Sequence, residues 1–436
     1  MDMQAVLLIV FTFVFGYIAW RKLDWAICLA IMFSPAYQIR FQVGFLPMTV
    51  LEVMVLVIIA VWGVRTVSER IYSKTCPAWL PWRWLLAAFF AVGLLAVLIS
   101  PDTRGALGLW KAYIAEPSLL FLVFVNTIKT RDQVRSVLWA LGASVVIIGY
   151  IALIQYVGLL KISGLYGLEH PKRATSVFTF PTAVGKFVGP ILALFIAFWL
   201  VRVQPKVRSL WEMVVRHLFT AGVTAFGLLA LLFSFSRGAV IGVLVAIVFS
   251  SFFSSRKKWI WLALAVVLIG SLIVPFTRHE IISVIDVEDT SADVHVVMWK
   301  GAWRIIQAHP VLGTGLASFP VVYEQYKEAS HTEFFPNPDE LYLTIWIEMG
   351  LAGLLVFGWL MVKYFHAGLK DIHRQSQDYW TRALLVGLMA AMVSLLVHGF
   401  FDTPYFKNDL AVIFWALLGL MVVVSRIKPA PETTNL

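Results

Sequence analysis

Residues 383–409, ALLVGLMAAMVSLLVHGFFDTPYFKND, contain two apolar runs that indicate the fold class most directly. No acidic residue, lysine or arginine occurs from 383 to 401, and a short charged segment then precedes a second apolar run at 408–425. An α-helix needs about 20 predominantly apolar residues to cross the hydrocarbon core of a bilayer. The two runs therefore predict a pair of transmembrane helices that are joined by a short polar turn.

Similar apolar runs recur along the whole chain, and each predicts a membrane-spanning helix. The second and fifth runs are the weakest, because Pro35 and Pro117 interrupt them. We predict an all-α integral membrane protein with about 12–13 transmembrane helices and a helical extracytoplasmic cap. The thirteen runs are 5–20, 25–39, 46–64, 84–100, 113–128, 136–157, 177–201, 218–234, 238–254, 259–276, 341–362, 383–401 and 408–425.

The composition excludes the main soluble classes. Of the 436 residues, 60% are hydrophobic and 14% are charged, and the mean hydropathy is +0.83. Soluble domains are about 45–50% apolar and about 25% charged. The two cysteines, Cys28 and Cys76, provide no disulfide framework. The N-terminal run lacks the basic flank and the cleavage site of a signal peptide, so we predict that it is retained.

The lysines and arginines predict the orientation in the membrane. Successive loops between spans lie on alternating sides of the membrane and so form two sets. One set contains 22 of the 35 basic residues, the other contains 12, and Lys186 lies inside a span. The positive-inside rule assigns the richer set to the cytoplasm, so the N-terminus is outside and the tail 426–436 is inside. In a membrane protein, the net charge of +10 indicates membrane lipids as partners and not nucleic acid.

The long segment 277–340 is predicted to lie outside, between the membrane parts 1–276 and 341–425. Apolar residues recur at helical spacing from 295 to 306, and a second helix is predicted around 316–329, after a break at 313–315. We therefore predict a small helical cap on the outer membrane interface. The apolar face of its first helix comprises Val296, Trp299, Ala302, Trp303 and Ile306.

Polar motifs from distant parts of the chain are predicted to meet at the outer face. Residues 172–176 (KRATS) precede the seventh span, and residues 234–239 (SFSRGA) form the turn between the eighth and ninth spans. Residues 402–409 follow the twelfth span. This pattern is typical of an extracytoplasmic site at the membrane surface.

Three cations near these motifs suit a phosphate ligand, because arginine binds phosphate through two parallel hydrogen bonds. Arg173 also suits an interfacial residue that extends toward the headgroups, and Arg237 also suits a structural ion pair. Lys186 is roughly ten residues into its predicted span, where a charge is either paired or functional. Asp339 and Glu340 precede the eleventh span and also suit caps of that helix.

The sequence contains no motif for a metal, a nucleotide or an acyl-enzyme nucleophile. HExxH, CxxC, GxSxG and P-loop patterns are absent, and the histidines lack ligand spacing. The acidic residues between 286 and 293 lack the glycine and the ligand spacing of an EF-hand, which favours a solvated loop. We therefore expect neither a cofactor nor a metal.

These residues resemble the bacterial O-antigen ligase/polymerase superfamily of multi-span glycosyltransferases. The resemblance covers about 170 to 425 and implies a GT-C-like architecture. It also implies that glycans are transferred or polymerised from an undecaprenyl-diphosphate carrier on the outer leaflet, without metal or nucleotide. The similar blocks are 173–176 with Phe180-Pro181, 235–239, Trp299 with Ala302-Trp303, 309–315, 341–343, 348–351, and 402–409 ahead of Phe414-Trp415.

The resemblance also implies roles for single residues. Arg173 and Arg237 match arginines that are thought to hold the diphosphate. The family usually has His-Asn where this chain has Asp339-Glu340, and that histidine is the proposed base for the acceptor hydroxyl. A carboxylate can act as a base, and repulsion from Glu340 together with burial would raise the pKa of Asp339. This difference from the family also allows three alternatives. Either the chain uses a different acceptor, or another residue such as His331 is the base, or the activity has been lost.

The combined interpretation is a glycosyltransferase of the bacterial plasma membrane that uses a lipid-linked oligosaccharide donor and a glycan or lipid acceptor. The sugar, the acceptor and the choice between ligase and polymerase stay open. A polysaccharide or lipid-linked sugar transporter and an inactive envelope-glycan scaffold are the rival interpretations. The predicted site comprises Asp339, Glu340 and His331 for catalysis, Arg173, Arg237 and Lys186 for the diphosphate, and His295, Trp299, Trp303 and Tyr342 for the acceptor. The family usually has an arginine at the position of His295.

Overall fold

The computed structural model describes residues 3–44, 46–73, 82–162, 164–169, 171–201, 210–273, 290–328, 336–374 and 378–427. Most of these residues are helical, which confirms the predicted all-α class. The helices are α1 (Met3–Arg21), α2 (Leu23–Met32), α3 (Val50–Ser73), α4 (Arg83–Leu98), α5 (Thr103–Leu109), α6 (Glu116–Thr127), α7 (Arg131–Tyr156), α8 (Pro181–Val201), α9 (Leu210–Ser234), α10 (Arg237–Ser251), α11 (Lys257–Ile273), α12 (Thr290–Ala308), α13 (Phe319–Tyr323), α14 (Leu341–Arg374), α15 (Tyr379–His398) and α16 (Asn408–Val424).

The helices confirm a multi-pass membrane protein. Within the described ranges, seven helices are long and apolar enough to cross a membrane, and five shorter apolar helices accompany them. Each of these helices lies at one of the predicted spans, and α11 lies at the tenth. The predicted spans therefore correspond to helices in the structure.

Prolines disturb the two spans that the sequence marks as weak. Helix α2 ends at Met32 and is followed by the 3₁₀-helix Ser34–Gln38, which has Pro35 in its first turn. The fifth span begins earlier than predicted, with α5, and passes through the π-helical turn Trp110–Ala115 into α6. Pro117 lies at the start of α6. Because the chain is already helical before it, its missing N–H removes a hydrogen bond that a continuous α-helix would form.

The third and seventh spans were predicted to begin a few residues before the helices that the structure contains. The third span was predicted from residue 46, but β2 (Leu46–Thr49) pairs there with β1 (Arg40–Val43) in an antiparallel hairpin, and α3 begins only at Val50. The seventh span was predicted from residue 177, but α8 begins at Pro181. Proline is favoured in the first turn of a helix because its N–H would lack a partner there in any case.

Helices α15 and α16 form the most buried part of the bundle. Every residue of α16 after the first is buried, which explains why this helix is apolar on all sides. Helix α15 approaches α8 and α10 closely at glycines. A Cβ atom at Gly242 would lie 2.6 Å from the Ser394 carbonyl oxygen, and one at Gly387 would lie 2.9 Å from that of Leu194. These close crossings determine where the ends of α8, α10 and α15 lie.

Helix α14 is interrupted at Gly350, where the backbone adopts a φ of 69°. The segment 311–314 lies against this interruption, and the Thr314 N–H donates to the Ile347 carbonyl (2.7 Å). A Cβ atom at Gly313 would lie 2.4 Å from the same carbonyl oxygen, so a larger residue would prevent the contact. The predicted break between the cap helices is confirmed, and it attaches the cap to α14.

The first predicted cap helix is confirmed as α12, and its predicted apolar face is only partly buried. Val296 and Trp303 were assigned to the apolar face and are 41% and 49% exposed. The face toward α13 carries Gly301, where a Cβ atom would lie 2.5 Å from the Tyr323 ring. Small residues on this face allow close packing and leave the indole rings outside. The buried residues of α12 are Met298, Ala302, Ile305 and Ile306.

The second predicted cap helix is much shorter than expected. Only Phe319–Tyr323 is helical within the predicted range 316–329. Turns follow as far as the described residues continue, to 328. The short helix still closes the cap, since Phe319 and Tyr323 are buried against α12.

Candidate functional site

Four segments meet at the end of the bundle that carries α12, which we call the cap end. They are the start of α8, the turn between α9 and α10, the end of α15 with the loop 399–407, and the segment 336–341 before α14. A Cβ atom at Gly185 would lie 2.1 Å from Ser236 Oγ, and one at Gly238 would lie 2.8 Å from the His398 ring. The structure thus brings together the polar motifs that the sequence analysis selected.

Arg173 and Arg237 lie at the same turn. The Arg173 Nε atom donates to the carbonyl of Ser234, the last residue of α9 (3.4 Å). The chain reverses at Phe235, which has a φ of 51°, and Arg237 then begins α10 with an exposed side chain. The described contact of Arg173 is with a backbone carbonyl, so it leaves the positive charge of this arginine without neutralisation.

The loop before α8 is attached to α7 and α9 by hydrogen bonds. The Ala174 N–H donates to the Phe233 carbonyl (2.7 Å). The side-chain amide of Gln155 both donates to the Ser176 carbonyl (3.0 Å) and accepts from the Ser176 N–H (2.7 Å). These bonds fix the position of the arginine that this loop carries.

Lys186 forms an ion pair, as one of the two expectations for a charge inside a span requires, but its partner was not predicted. Its Nζ atom lies 2.9 Å from Asp402 Oδ1, which also accepts a hydrogen bond from the Thr403 N–H (2.7 Å). Burial alone would raise the pKa of Asp402, but Lys186 and the other nearby donors hold that pKa below its ordinary value. A signal for this pair exists in the sequence, because a lysine inside a span needs a carboxylate partner.

Lys186 also lies nearer to the cap end than predicted. It occupies the second turn of α8, because the helix begins at Pro181, and not a position roughly ten residues into the span. A lysine at this depth reaches the loop after α15, which explains its contact with Asp402.

Asp339 lies between the cap helix and the end of α15. The Trp299 Nε1 atom donates to the Pro338 carbonyl (3.0 Å), and the Leu341 N–H donates to the Gly399 carbonyl (2.7 Å). Asp339 adopts a φ of 45°, an uncommon backbone conformation for a residue other than glycine. Among the described residues its carboxylate has no hydrogen-bond or ion-pair partner.

The surroundings of Asp339 favour its protonated form. Burial, and then the negative charge of Asp402, raise the pKa of Asp339 to about 6, while Lys186 and His295 oppose that rise. The sequence analysis expected the like charge to come from Glu340, but Asp402 supplies it. A carboxylate with a pKa near neutrality is a better proton acceptor than an ordinary one.

Glu340 caps helix α14. Its Oε2 atom accepts a short hydrogen bond from the Leu343 N–H, and its backbone carbonyl accepts from Thr344 Oγ1 (2.6 Å). Burial raises the pKa of Glu340. The alternative role as a helix cap therefore applies to Glu340, and Asp339 is the less buried carboxylate of the two.

The exposed face of α12 forms a groove of about 470 Å³. The Trp303 ring meets the Trp346 ring edge to face, with a centroid distance of 6.1 Å. The His295 ring lies 6.0 Å from Trp299, and its buried Nδ1 has no hydrogen-bond partner among the described residues. The groove is lined by Val296, Trp299, Lys300, Trp303, Arg304 and Gln307.

One predicted site residue, Tyr342, is not part of this arrangement. Tyr342 packs on α15, where its hydroxyl donates to the Leu396 carbonyl (2.7 Å) and its ring lies 4.7 Å from that of Phe400. His331 lies outside the described residues. In the described part of the chain, no group of three or more His, Cys, Asp or Glu side chains is placed to hold a metal ion.

Residues 222–358 match the family model described as O-antigen ligase. The match begins within α9, contains Arg237, the cap and Asp339, and ends within α14, so it covers less than half of the chain. It confirms the resemblance to the O-antigen ligase/polymerase superfamily, and it supports glycan transfer of the O-antigen ligase type in general. The comparison with curated proteins gave no match.

Proposed function

We propose that this chain is an inverting glycosyltransferase that transfers glycan from an undecaprenyl-diphosphate carrier at the outer face of the bacterial plasma membrane. The observation that carries the proposal is the Asp339 carboxylate, which has no partner among the described residues and has a raised pKa because of burial and the charge of Asp402. Arg173 and Arg237 lie at the same end of the bundle. A proton acceptor near a cationic turn suits attack by a hydroxyl on a sugar diphosphate.

In this proposal, the donor diphosphate binds at the turn between α9 and α10. Arginine binds phosphate oxygens with two parallel hydrogen bonds. Only the Nε atom of Arg173 has a partner among the described residues, so its terminal N–H groups can reach a ligand. Arg237 contributes an exposed guanidinium, and Lys186 adds positive charge deeper in the site. These cations make a metal ion unnecessary for the proposed reaction.

Asp339 is proposed to accept the proton of the acceptor hydroxyl. The acceptor oxygen then forms a bond to the anomeric carbon, while the bond from that carbon to the phosphate oxygen breaks. The electron pair of the broken bond goes to the diphosphate, and the single displacement inverts the anomeric centre. The diphosphate leaves as an anion that the arginines stabilise, so the reaction needs no strong general acid.

The acceptor glycan is proposed to bind in the groove of α12. Trp299 and Trp303 offer large flat surfaces, and Gln307, Lys300 and Arg304 offer hydrogen-bond donors along the same face. His295 lies at the end of this face that is nearest to Asp339, as its effect on the pKa of that carboxylate indicates. An acceptor held along α12 can therefore present a hydroxyl to the proposed base.

The proposed organisation assigns residues 1–276 and 341–425 to the membrane, 277–340 to an outer cap and 426–436 to the cytoplasm. Cysteine substitution tests it in intact cells with an impermeant thiol reagent. Cysteines at Glu288 and Glu328 are expected to react from outside, and cysteines at Lys206 and Arg374 are expected to stay unlabelled until the cells are opened. Labelling of Lys206→Cys from outside would contradict the orientation.

The decisive experiment is transfer by the purified protein in liposomes, with a lipid-diphosphate oligosaccharide as donor. A glycosyltransferase forms a new glycosidic bond, and the product separates ligation to an acceptor from polymerisation. A transporter would move the donor across the bilayer without forming a bond, and a scaffold would do neither. Glu324→Gln, a substitution of an exposed carboxylate on the cap, is a matched control for Asp339→Asn.

A further inference from the structure

The loop 399–407 carries a second charged group that the proposed function does not use. The Tyr405 hydroxyl donates to the Tyr113 carbonyl (2.6 Å) and accepts a hydrogen bond from Trp415 Nε1 (3.3 Å). The Lys407 N–H donates to the Tyr405 carbonyl (2.7 Å). These bonds fix the backbone from which the Lys407 side chain extends.

The Lys407 ammonium lies on two aromatic rings. Its Nζ atom is 5.0 Å from the centroid of the Tyr37 ring and 4.9 Å from that of Phe178. A cation on an aromatic face is attracted by the quadrupole of the ring and keeps its charge and its hydrogen-bond donors available. The rings therefore position the ammonium without occupying its N–H groups.

Lys407 differs in this respect from the other half-buried lysines that the structure describes toward the cap end. Lys186 is paired with Asp402, and Lys111 contacts the carboxylates of Glu52 and Glu116. In the described chain, the Lys407 ammonium has neither a hydrogen bond nor an ion pair. A partly buried ammonium without an acceptor is unfavourable unless a ligand supplies one.

The position of Lys407 connects it to the proposed donor site. Phe178 belongs to the loop that carries Arg173, and Lys407 follows Asp402 in the loop after α15. Its charge acts on the same groups that surround the Lys186 pair. The charged and titratable groups that face Lys407 are Asp409 in α16, Lys186 in α8, Asp402 in its own loop, Arg40 in β1 and Tyr37 in the 3₁₀-helix.

We propose that Lys407 forms an anion-binding subsite for an oxyanion of the lipid-linked glycan, either a phosphate of the carrier or an acidic group of the sugar. The proposal rests on the proposed function in that it takes the ligand to be a lipid-linked glycan. Tyr37 and Phe178 hold the ammonium, and the ligand oxygen accepts the hydrogen bonds that no described protein group accepts. Lys407 is thus a binding residue that extends the cationic surface beyond Arg173 and Arg237.

The test measures binding to the purified full-length protein in lipid nanodiscs, with two probes. Farnesyl diphosphate represents the carrier phosphate, and a glucuronic acid oligosaccharide represents an acidic sugar. Lys407→Met is expected to weaken binding of one probe by tenfold or more, and Lys407→Arg is expected to weaken it less. Lys161→Met, a substitution of an exposed loop lysine, is the matched control and should leave binding unchanged.

The dependence on pH tests the same inference in the unmodified protein. Burial lowers the pKa of Lys407 to about 8, against the charge of Asp409, which raises it. The ammonium is therefore present below pH 8 and is lost above it, so affinity for the bound probe should fall between pH 7 and pH 9. Arginine remains charged throughout this range. If Lys407→Met does not fold, the pH dependence of binding to the wild type tests the subsite in its place.

The outcomes separate this inference from the proposed function. If farnesyl diphosphate binds to the wild type, and Lys407→Met binds each probe as tightly as the wild type does, the subsite is overturned. If the wild type binds only the acidic oligosaccharide and Lys407→Met loses that binding, the subsite stands while the diphosphate donor fails. Binding of neither probe to the wild type, or affinity that is constant from pH 7 to pH 9, overturns the subsite.

Discussion

Two groups toward the cap end contain the same residue types, two carboxylates and one lysine, but they differ in their contacts. The closed triad is Lys111, Glu52 and Glu116, and the open cluster is Lys186, Asp402 and Asp339. In the closed triad, the lysine Nζ atom lies 3.2 Å and 3.6 Å from the two carboxylates. In the open cluster, the lysine contacts only one carboxylate, at 2.9 Å, and the other has no described partner.

The elements that carry the two groups explain the difference. The closed triad lies within helices, on the first turn of α3 and around the π-helical turn before α6. Glu52 also accepts a hydrogen bond from the Thr49 N–H (2.7 Å), so it caps α3. The members of the open cluster come from α8, from the loop after α15 and from the segment before α14. Loops and a cap helix surround it, so a ligand can approach.

The comparison shows that residue types alone do not identify a functional site. A carboxylate that is paired and hydrogen-bonded contributes to the fold, whereas an unpaired carboxylate near cations is available for proton transfer. Substitutions in the open cluster should therefore change chemistry, and substitutions in the closed triad should change stability. Four predictions test this division, in order of decreasing effect on transfer.

The largest effect is expected for Asp339→Asn, which removes the proposed base. A positioned general base contributes roughly 10²–10⁴-fold, so transfer should fall by at least about 100-fold while donor binding is retained. Asp339→His should keep some activity, because it restores the residue type that the family usually has. Glu116→Gln in the closed triad is the matched comparison. Transfer is measured per folded molecule, and near wild-type activity of Asp339→Asn would remove the base assignment.

A smaller loss is expected for Arg237→Ala. Loss of a charge-assisted contact of about 2–3 kcal/mol lowers kcat/KM by roughly 30- to 150-fold. Arg237→Lys should restore only part of the activity, since lysine cannot form the planar contact with two hydrogen bonds. The measurement is donor-dependent kinetics at equal amounts of folded protein. Unchanged kcat/KM in Arg237→Ala would make this arginine a packing residue.

The pH profile distinguishes the members of the open cluster. A base works when it is deprotonated, so wild-type transfer should fall as the pH decreases through about 6, the raised pKa of Asp339. Asp402→Asn removes a repelling charge and should move this acid limb to lower pH by about one unit. Lys186→Met removes an attracting charge and should move it to higher pH.

The rates are compared from pH 4.5 to pH 8 for the wild type and both variants. An acid limb that does not move in either variant would show that the Lys186–Asp402 pair does not act on the base. A changed KM for the donor with an unmoved limb would assign Lys186 to diphosphate binding alone.

The smallest effect on transfer is expected for Lys111→Met in the closed triad. Removing the cation leaves two buried carboxylates without a positive charge beside them. The free energy of unfolding should fall by about 2–3 kcal/mol, a figure that is already reduced because the lysine is partly exposed. Turnover per folded molecule and the pH profile should stay the same. Thermal unfolding in detergent and kinetics on the folded fraction provide the two measurements. A shifted acid limb in this variant would contradict the division between the groups.

Much of the fold was predictable because each span is a local property of the chain. The positions of the thirteen runs follow from apolar length alone, and the breaks at 313–315 and near Pro35 follow from glycine and proline. The hairpin at 40–49 was missed because Leu46, Pro47 and Met48 extend the apolar run of α3. Local hydropathy cannot distinguish a short strand from the first turn of a helix.

The candidate site was predictable only in part. Arg173 and Arg237 were selected because cations at a membrane surface are conspicuous, and the structure places them at one turn. The partner of Lys186 was not predicted, since Asp402 is 216 residues away in the sequence. Trp299 and Trp303 on the exposed face of α12 were selected, but Lys300, Arg304 and Gln307 were not, because the orientation of this helix depends on contacts with α13 and α14.

Hydropathy along the chain was sufficient to predict a multi-pass membrane protein and the segments that form its apolar helices. Hydrocarbon accepts a backbone only when the helix satisfies its own hydrogen bonds and the side chains are apolar, and both conditions are local. The pairing of the carboxylates, in contrast, became visible only in three dimensions. Glu340 caps α14, Asp402 binds Lys186, and Asp339 has no described partner, because these states depend on distances between segments that are far apart in the chain.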